Sequence, residues 1–345
     1  MAKESYTHLI FRKEAVMTYP GLLMWIVPGL VISAVYADDG ECDAWADPAR
    51  AGTIEDSDLD EVSGLVSHRS GLGLWAHNDS GAAKLYAIGL DGSKIADPLV
   101  LGAEHTDWED IAAGPCDDDP CDRCLYIADI GNNSMDREGG TIYRLPEPGL
   151  SEDLEQTEAA EAITFTWPDG VYDAEAFVVH PLTGEALLIT KADPARLYRL
   201  EGDATLTDVG TLDLEPLGVD NRNVTGADVS PSGRQLVLRT DSDIILFDAA
   251  GQTLAAALSG EGRVLPAPPE EKAEAIAFAA TGQAIFTAAE SESAPLWLIQ
   301  CDDFSAQGDT GTPECDTAEP CGCSSEKALL LPLLFIFPLA RRRRH

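Results

Sequence analysis

Five residues with oxygen-bearing side chains recur at the same position of a repeated segment. They are Ser63, Glu109, Glu175, Thr225 and Glu274, at separations of 46, 66, 50 and 49 residues. Repeats arranged around an axis would bring these side chains to one height, where three carboxylates repel one another unless they are protonated or bridged by a cation. Oxygen ligands of this type favour calcium. The pattern therefore predicts an axial Ca²⁺ site, with hydrogen bonds from the glutamates to neighbouring repeats as the alternative.

The residues that follow these five positions predict β-strands. In Glu175-Ala-Phe-Val and Glu274-Ala-Ile-Ala, as in the other repeats, apolar residues mostly recur two and four positions after the first residue. This alternation is typical of strands. Each repeat continues with two further apolar runs, and four of the repeats have a fourth, more polar run. Those fourth runs are Pro98–Leu101, Ala162–Trp167, Leu206–Leu214 and Thr253–Leu258.

A period of roughly 40–50 residues with four strands in each repeat predicts the blades of a β-propeller. We therefore expect an all-β fold over residues 38–304, with five four-stranded antiparallel blades around an axial channel. The fifth repeat lacks a fourth run downstream. Ala51–Glu55, ahead of the first repeat, could supply that strand and close the circle, which removes two exposed sheet edges. A six-bladed fold, with one blade inside the 66-residue gap, is the alternative.

The cysteines predict disulfides, as is usual for exported proteins. Cys42 precedes the first strand and Cys301 follows the last, so a closed propeller makes them neighbours, and we expect them to pair. Cys116, Cys121 and Cys124 share one acidic loop, where we expect a local disulfide. The alternative there is a zinc site, which lacks a fourth ligand and a nearby histidine.

The start of the chain predicts export. Within residues 1–37, an apolar stretch follows two basic residues and ends in Val35-Tyr36-Ala37, which is typical of a secretory signal peptide cut after the alanine. An uncleaved N-terminal anchor is the alternative. Behind the propeller, residues 305–320 are rich in Gly, Asp, Thr, Pro and Glu, a composition that predicts a flexible stalk.

The last segment, residues 321–345, resembles a known surface-sorting signal. Cys321-Gly-Cys323 precedes an apolar run over residues 328–340 and then four arginines. That order is similar to the C-terminal sorting signal of myxobacteria. The resemblance implies processing near the two cysteines and anchoring at the cell surface, on the outer membrane. A plain tail anchor, with the arginines held inside, is the alternative.

The charge balance disfavours two classes of partner. The chain has 60 acidic and 23 basic residues and a net charge of −37. Nucleic acid and anionic lipid are therefore poor partners for the surface as a whole, and we expect no nucleic-acid partner. We expect a monomer that contacts the membrane only through its C-terminal anchor. Its ligand would be a small molecule or a component of the cell surface.

The order Ser, Glu, Glu, Thr, Glu resembles the axial calcium ring of the calcium-dependent apyrase (nucleotidase) propellers, which is Ser, Glu, Glu, Ser, Glu. The resemblance covers roughly residues 61–279 and implies a five-bladed propeller with axial calcium. Leu74–Gly81 is similar to the family's first-blade loop but lacks its arginine. Trp108–Ile111 and Asp173–Ala176 look like segments of secreted bacterial propellers related to the esterase-like phytase group.

Candidate catalytic residues stand where the second strands end, because those ends open onto the mouth that holds the ring. They are Asp79, Asp129, Lys191 and Arg239. In a hydrolase, the cation would activate water, an aspartate would act as general base, and the two basic side chains would stabilise negative charge. Pairing of these basic residues with neighbouring aspartates is the alternative.

Two functions follow from these features. The first is a binding or scaffold module in which the axial cation is structural. The second is a calcium-dependent phosphoester hydrolase, similar to a nucleotidase or phytase, that uses the channel mouth. The sequence contains no Gly-x-Ser-x-Gly elbow, no phosphate-binding loop and no His-Glu-x-x-His motif. The binding module is favoured because the first-blade loop lacks the arginine of the apyrase pattern.

Overall fold

The computed structural model describes residues 42–116 and 122–302. The predicted signal peptide (1–37), stalk (305–320) and sorting signal (321–345) lie outside this range, as does Cys121. Within the range, no helix is long and apolar enough to cross a membrane.

The described chain folds into five four-stranded antiparallel sheets. It begins with β1 (Ala49–Thr53). The first blade contains β2 (Val62–Ser67), β3 (Gly73–Asn78), β4 (Tyr86–Gly89) and β5 (Lys94–Ala96). The second contains β6 (Trp108–Pro115), β7 (Arg123–Asp129), β8 (Gly139–Pro146) and β9 (Glu161–Thr166). The third contains β10 (Ala174–Val179), β11 (Ala186–Thr190), β12 (Ala195–Leu200) and β13 (Leu206–Leu212).

The fourth and fifth blades complete the fold. A 3₁₀ turn at Glu215–Leu217 leads into the fourth blade. That blade contains β14 (Val224–Val229), β15 (Gln235–Thr240), β16 (Ile244–Asp248) and β17 (Arg263–Leu265), with the short helix α1 (Leu254–Leu258) before its last strand. The fifth contains β18 (Ala273–Phe278), β19 (Ala284–Ala289) and β20 (Pro295–Gln300), with β1 as its outer strand.

The inner strands β2, β6, β10, β14 and β18 contact one another in cyclic order, and β18 contacts β2. The prediction of a five-bladed propeller is confirmed, and the six-bladed alternative is excluded. Five clusters of buried apolar side chains lie between neighbouring blades, one at each interface. The non-adjacent strands β6 and β14 also approach each other across the axis, so the channel is narrow.

The ring closes where the sequence predicts. Strand β1 pairs antiparallel with β20, two residues earlier than the predicted Ala51–Glu55. Cys42 and Cys301 form a disulfide beside this pairing, as predicted. The local disulfide in the acidic loop joins Cys116 to Cys124.

Removal of the seam disulfide by Cys42→Ser with Cys301→Ser is expected to lower the free energy of unfolding by about 2–4 kcal/mol. The disulfide closes a loop with a sequence separation of 259 residues, which strongly restricts the unfolded chain. Urea unfolding under oxidising conditions measures the loss. The matched control removes the disulfide between Cys116 and Cys124, whose separation is 8 residues. An equal or larger loss in that control would contradict the role given to the seam.

Of the four predicted outer runs, one is displaced and one is wrong. The outer strand of the first blade is β5, which ends before the predicted Pro98–Leu101 begins, although Leu99 in that run forms an antiparallel bridge with Lys84. The run Thr253–Leu258 is not a strand, because Thr253 caps α1 by accepting a hydrogen bond from the Ala256 N–H (3.2 Å). Alanine and leucine favour the helix that follows this cap. The outer strand of the fourth blade is β17.

Candidate cation site at the channel mouth

Each inner strand contains a β-bulge, and the extra residue is the oxygen-bearing one. In β2, Val62 pairs with Asn78 and Gly64 pairs with His77, so that Ser63 lies between two successive pairs. The same register shift surrounds Glu109, Glu175, Thr225 and Glu274. A bulge bends its strand and redirects a side chain. All five predicted ring residues therefore occupy one structural position in the five blades.

The two hydroxyl members of the ring link neighbouring blades. The Ser63 Oγ donates a hydrogen bond to the Glu109 carbonyl (2.6 Å), and the Thr225 Oγ1 donates one to the Ala273 carbonyl (2.8 Å). Both hydroxyls are buried. They hold the first blade to the second and the fourth to the fifth, at the level of the bulges.

The three glutamates of the ring share a poorly solvated space. Burial, followed by the charge of Glu175, holds the pKa of Glu109 well above its usual range. Burial raises the pKa of Glu175 to about 7 against the opposing effect of Lys191, and burial with the charge of Glu175 raises that of Glu274 to about 8. These shifts mean that the three carboxylates resist simultaneous ionisation without a bound cation or proton.

Lys191 supplies one positive charge to the ring. It follows β11 directly, and its ammonium forms an ion pair with the Glu175 Oε1. Burial alone would lower the pKa of Lys191, but the charges of Glu175, Glu274 and Glu109 raise it. The sequence placed Lys191 at the mouth, and the structure adds that its partner is a ring glutamate.

Three carboxylates converge beside the ring, from two blades. Asp79 follows β3, while Asp107 and Glu109 lie at the start of β6, and one oxygen atom of each lies within 4.8 Å of the others. Burial and the charge of Asp79 raise the pKa of Asp107 to about 6. Sequence reasoning missed Asp107, although its position two residues before a ring glutamate was an available signal.

A glycine makes this convergence possible. A Cβ added at Gly131 would overlap both Glu109 Oε1 and the carboxyl group of Asp107. The backbone N–H of Gly131 also donates to the Asp107 carbonyl (3.2 Å), which holds the loop after β7 against the cluster. Gly131→Ala would therefore force the two acidic side chains apart.

The donor set fits a hard divalent cation. The converging side chains offer carboxylate oxygens alone, which suit calcium better than softer metals. Among the described residues, the buried oxygens Asp79 Oδ1 and Glu175 Oε2 have no hydrogen-bond partner. Unpaired buried carboxylate oxygens are costly, so a ligand that satisfies them stabilises the folded state.

Two other predicted catalytic residues are engaged elsewhere. The Asp129 carboxylate pairs with Arg137 (2.6 Å) and accepts hydrogen bonds from the backbone N–H groups of Thr106 and Asp107. Arg239 is fully buried and pairs with Glu270 (3.3 Å). Of the four candidates, Asp79 and Lys191 are therefore the ones that the structure brings to the ring.

Below the mouth, one carboxylate spans three blades. The Asp110 Oδ2 accepts hydrogen bonds from the N–H groups of Phe177 (2.9 Å) and Ala227 (3.2 Å), and its Oδ1 accepts one from Ile111 (2.8 Å). Asp228 similarly joins the fourth blade to the fifth through the Phe278 N–H (2.7 Å). Sequence reasoning gave neither residue a role. These bonds link the inner strands of neighbouring blades and of the second and fourth blades across the axis.

The metal-free protein is expected to lose thermal stability as the pH rises from about 5 to about 8. The pKa of Glu175 in the folded state is about 7 and that of Glu274 about 8, both above the ordinary pKa of a glutamate side chain. The folded state therefore binds more protons in this window, and its extra stability is lost as the pH rises through these values. Calorimetry in chelator measures the slope, which Glu274→Gln should flatten. A rising melting temperature across the window would contradict the shifts.

Comparisons with known proteins support no assignment of family. No protein-family model matches the chain, and no curated protein matches it. Solved structures with similarity include a nidogen/laminin complex, with 12% identity and a TM-score of 0.39 over 66% of this chain and 71% of that chain. Another is the apo-form of the soluble aldose sugar dehydrogenase from Escherichia coli, with 9% identity and a TM-score of 0.43 over 74% of this chain and 99% of that chain.

Proposed function

We propose that this protein is an exported, surface-anchored binding module whose channel mouth holds one divalent cation, calcium. Asp79, Asp107 and Glu109 would bind the ion beside the axis, with Glu175 and Glu274 adding negative charge from the ring. The main role of the ion would be structural, because it would join the first blade to the second and hold the loops around the mouth in place.

One observation carries this proposal: three carboxylates from two blades meet within 4.8 Å. An arrangement that only served solubility would place acidic groups apart and in water. Here Glu109 is 5% exposed and lies among further carboxylates. The predicted ring of Ser63, Glu109, Glu175, Thr225 and Glu274 thus contributes to the proposed site mainly through Glu109.

The ligand of the module would carry oxygen groups. Calcium binds six to eight oxygen ligands, and three monodentate carboxylates leave coordination positions for water or for a partner. A carboxylate or a sugar hydroxyl of a surface component suits those positions. The acidic surroundings disfavour highly charged anions, which agrees with a binding role better than with capture of free phosphates.

Export and anchoring are part of the proposal. The disulfides Cys42–Cys301 and Cys116–Cys124 support an oxidising compartment. The anchor itself rests on the sequence of residues 321–345. Protease treatment of intact cells tests the location: the propeller should be cleaved or released from the surface, and full protection would contradict it.

Elemental analysis of the purified chain, paired with melting curves in calcium and in chelator, tests the cation. We expect about one tightly held calcium per chain and a lower melting temperature after chelation, since a ligand that binds only the folded state stabilises it. A metal-free preparation that shows no shift on adding calcium would contradict the proposal.

A hydrolase remains the second candidate, and the observation that favours it is the pair formed by Asp79 and Asp107. The raised pKa of Asp107, about 6, is suited to proton transfer near neutral pH. A bound calcium ion would polarise a phosphoryl oxygen in such a reaction. Asp79 could hold a water molecule for attack, and Lys191 could orient a ligand oxygen once it leaves Glu175.

Assays of the purified protein with a nucleoside diphosphate, a generic phosphodiester and an ester separate the two candidates. Calcium-dependent turnover that Asp79→Ala abolishes, in a protein with an unchanged circular dichroism spectrum, would establish the hydrolase. No turnover of any of the three substrates, by a protein that holds calcium, supports the binding module.

A further inference from the structure

The position after each second strand is equivalent in the five blades. At four of the five positions the N–H group donates to the chain that enters the inner strand, for example from Lys191 to the Asp173 carbonyl (2.9 Å) and from Asp79 to the Glu61 carbonyl (2.8 Å). The five residues at this position are Asp79, Ile130, Lys191, Asp241 and Glu290. Lys191 alone among these five is basic, in a chain of net charge −37.

The Lys191 side chain is directed into the ring. Its ammonium pairs with Glu175, whose side chain is 4% exposed, and the charges of Glu274 and Glu109 act on it next. An axial metal ion bound by the ring would need the same carboxylates. The ammonium and a metal ion bound there would repel each other at short range in a poorly solvated space.

We propose that the Lys191 ammonium is the resident cation of the axial ring, and that it excludes a second divalent ion from Glu175 and Glu274. This inference rests on the proposed function in one respect, since the single ion of the native chain lies at Asp79, Asp107 and Glu109. It departs from a purely axial calcium ring: one blade supplies a tethered charge where a free ion would otherwise bind.

A tethered cation has a clear advantage over a free one in this place. Its local concentration is fixed by the chain and does not depend on the calcium concentration outside. Glu175 of the third blade thus keeps its ion pair with Lys191 in chelator, whereas the contact between the first and second blades depends on calcium. Removal of the ammonium should convert the ring into a metal site, because its carboxylates remain and lose their competitor.

Calcium titration of the metal-free chain tests this inference, with stoichiometry measured by calorimetry and by elemental analysis after gel filtration. Lys191→Met keeps the length of the side chain and removes its charge, so we expect one more calcium per chain than in the native protein. Lys191→Arg keeps the charge and should bind the native number. An unchanged stoichiometry in Lys191→Met would overturn the inference.

Folding of the variant is a second readout. If metal-free Lys191→Met does not fold, refolding in millimolar calcium decides: recovery with the additional ion supports the inference, and failure to recover overturns it. The native chain separates this test from that of the proposed function. No calcium in the native chain with one ion in Lys191→Met would reject the off-axis site and keep the role of Lys191. One ion in both proteins would support the off-axis site and reject the role proposed for Lys191.

Discussion

Asp107→Asn is expected to weaken calcium binding by about 100-fold, or about 2.7 kcal/mol, and to leave the propeller folded. The substitution removes one of three carboxylates whose oxygens lie within 4.8 Å, and calcium affinity depends on the number of charged ligands. The substitution also removes a negative charge that repels Asp79. In the native chain, the charge of Asp79 raises the pKa of Asp107. The metal-free variant should therefore be as stable as the native protein, or more stable.

Those two effects in opposite directions distinguish a metal ligand from a structural residue. Calorimetric titration gives the affinity, and thermal unfolding in chelator gives the stability of the metal-free form. Glu152→Gln, which changes an exposed acid on a loop of the second blade, is the control for net charge and should retain native affinity. Native affinity in Asp107→Asn, or loss of stability without calcium, would mean that this carboxylate is not a ligand.

The propeller could be predicted because its repeats carry period-two alternation and a common spacing. The ring residues were visible for the same reason: Glu109, Glu175 and Glu274 hold equivalent positions in their repeats. The sequence could not reveal that each is the extra residue of a bulge, since a bulge is defined by pairing with the second strand. The seam was predictable from Cys42 and Cys301, which flank the repeats.

Contacts between blades were the part that sequence reasoning missed. Asp79 and Asp107 belong to different blades, and their approach depends on how the blades turn about the axis and on the space left by Gly131. The ion pair of Lys191 with Glu175 lies within one blade, but its direction depends on the bulge. For Arg239, sequence reasoning found the correct backbone position but the wrong side-chain environment. Its place at a strand end is correct, yet its side chain is buried against Glu270 and not open to the mouth.

The propeller also depends on a carboxylate that does not belong to the proposed metal site. Asp110→Ala is expected to lower the free energy of unfolding by about 3–9 kcal/mol, because a buried N–H without a partner costs about 1–3 kcal/mol and three donors lose their acceptor. Two of those donors, on Phe177 and Ala227, lie in other blades. Burial raises the pKa of Asp110 well above its usual range, and the three N–H groups oppose that effect.

Urea unfolding compares Asp110→Ala with Asp228→Ala. The second variant is the matched control, because Asp228 is also a buried carboxylate on an inner strand that accepts a hydrogen bond from a neighbouring blade. Asp228 accepts from the N–H groups of Val229 and Phe278 and links one pair of blades, so the loss in Asp228→Ala should be about two-thirds as large. If both variants unfold like the native protein, the bonds across the axis do not hold the blades together. Calcium affinity serves as the second readout. It should stay native in Asp228→Ala, because Asp228 holds the fourth and fifth blades, whereas the proposed ion binds between the first and second.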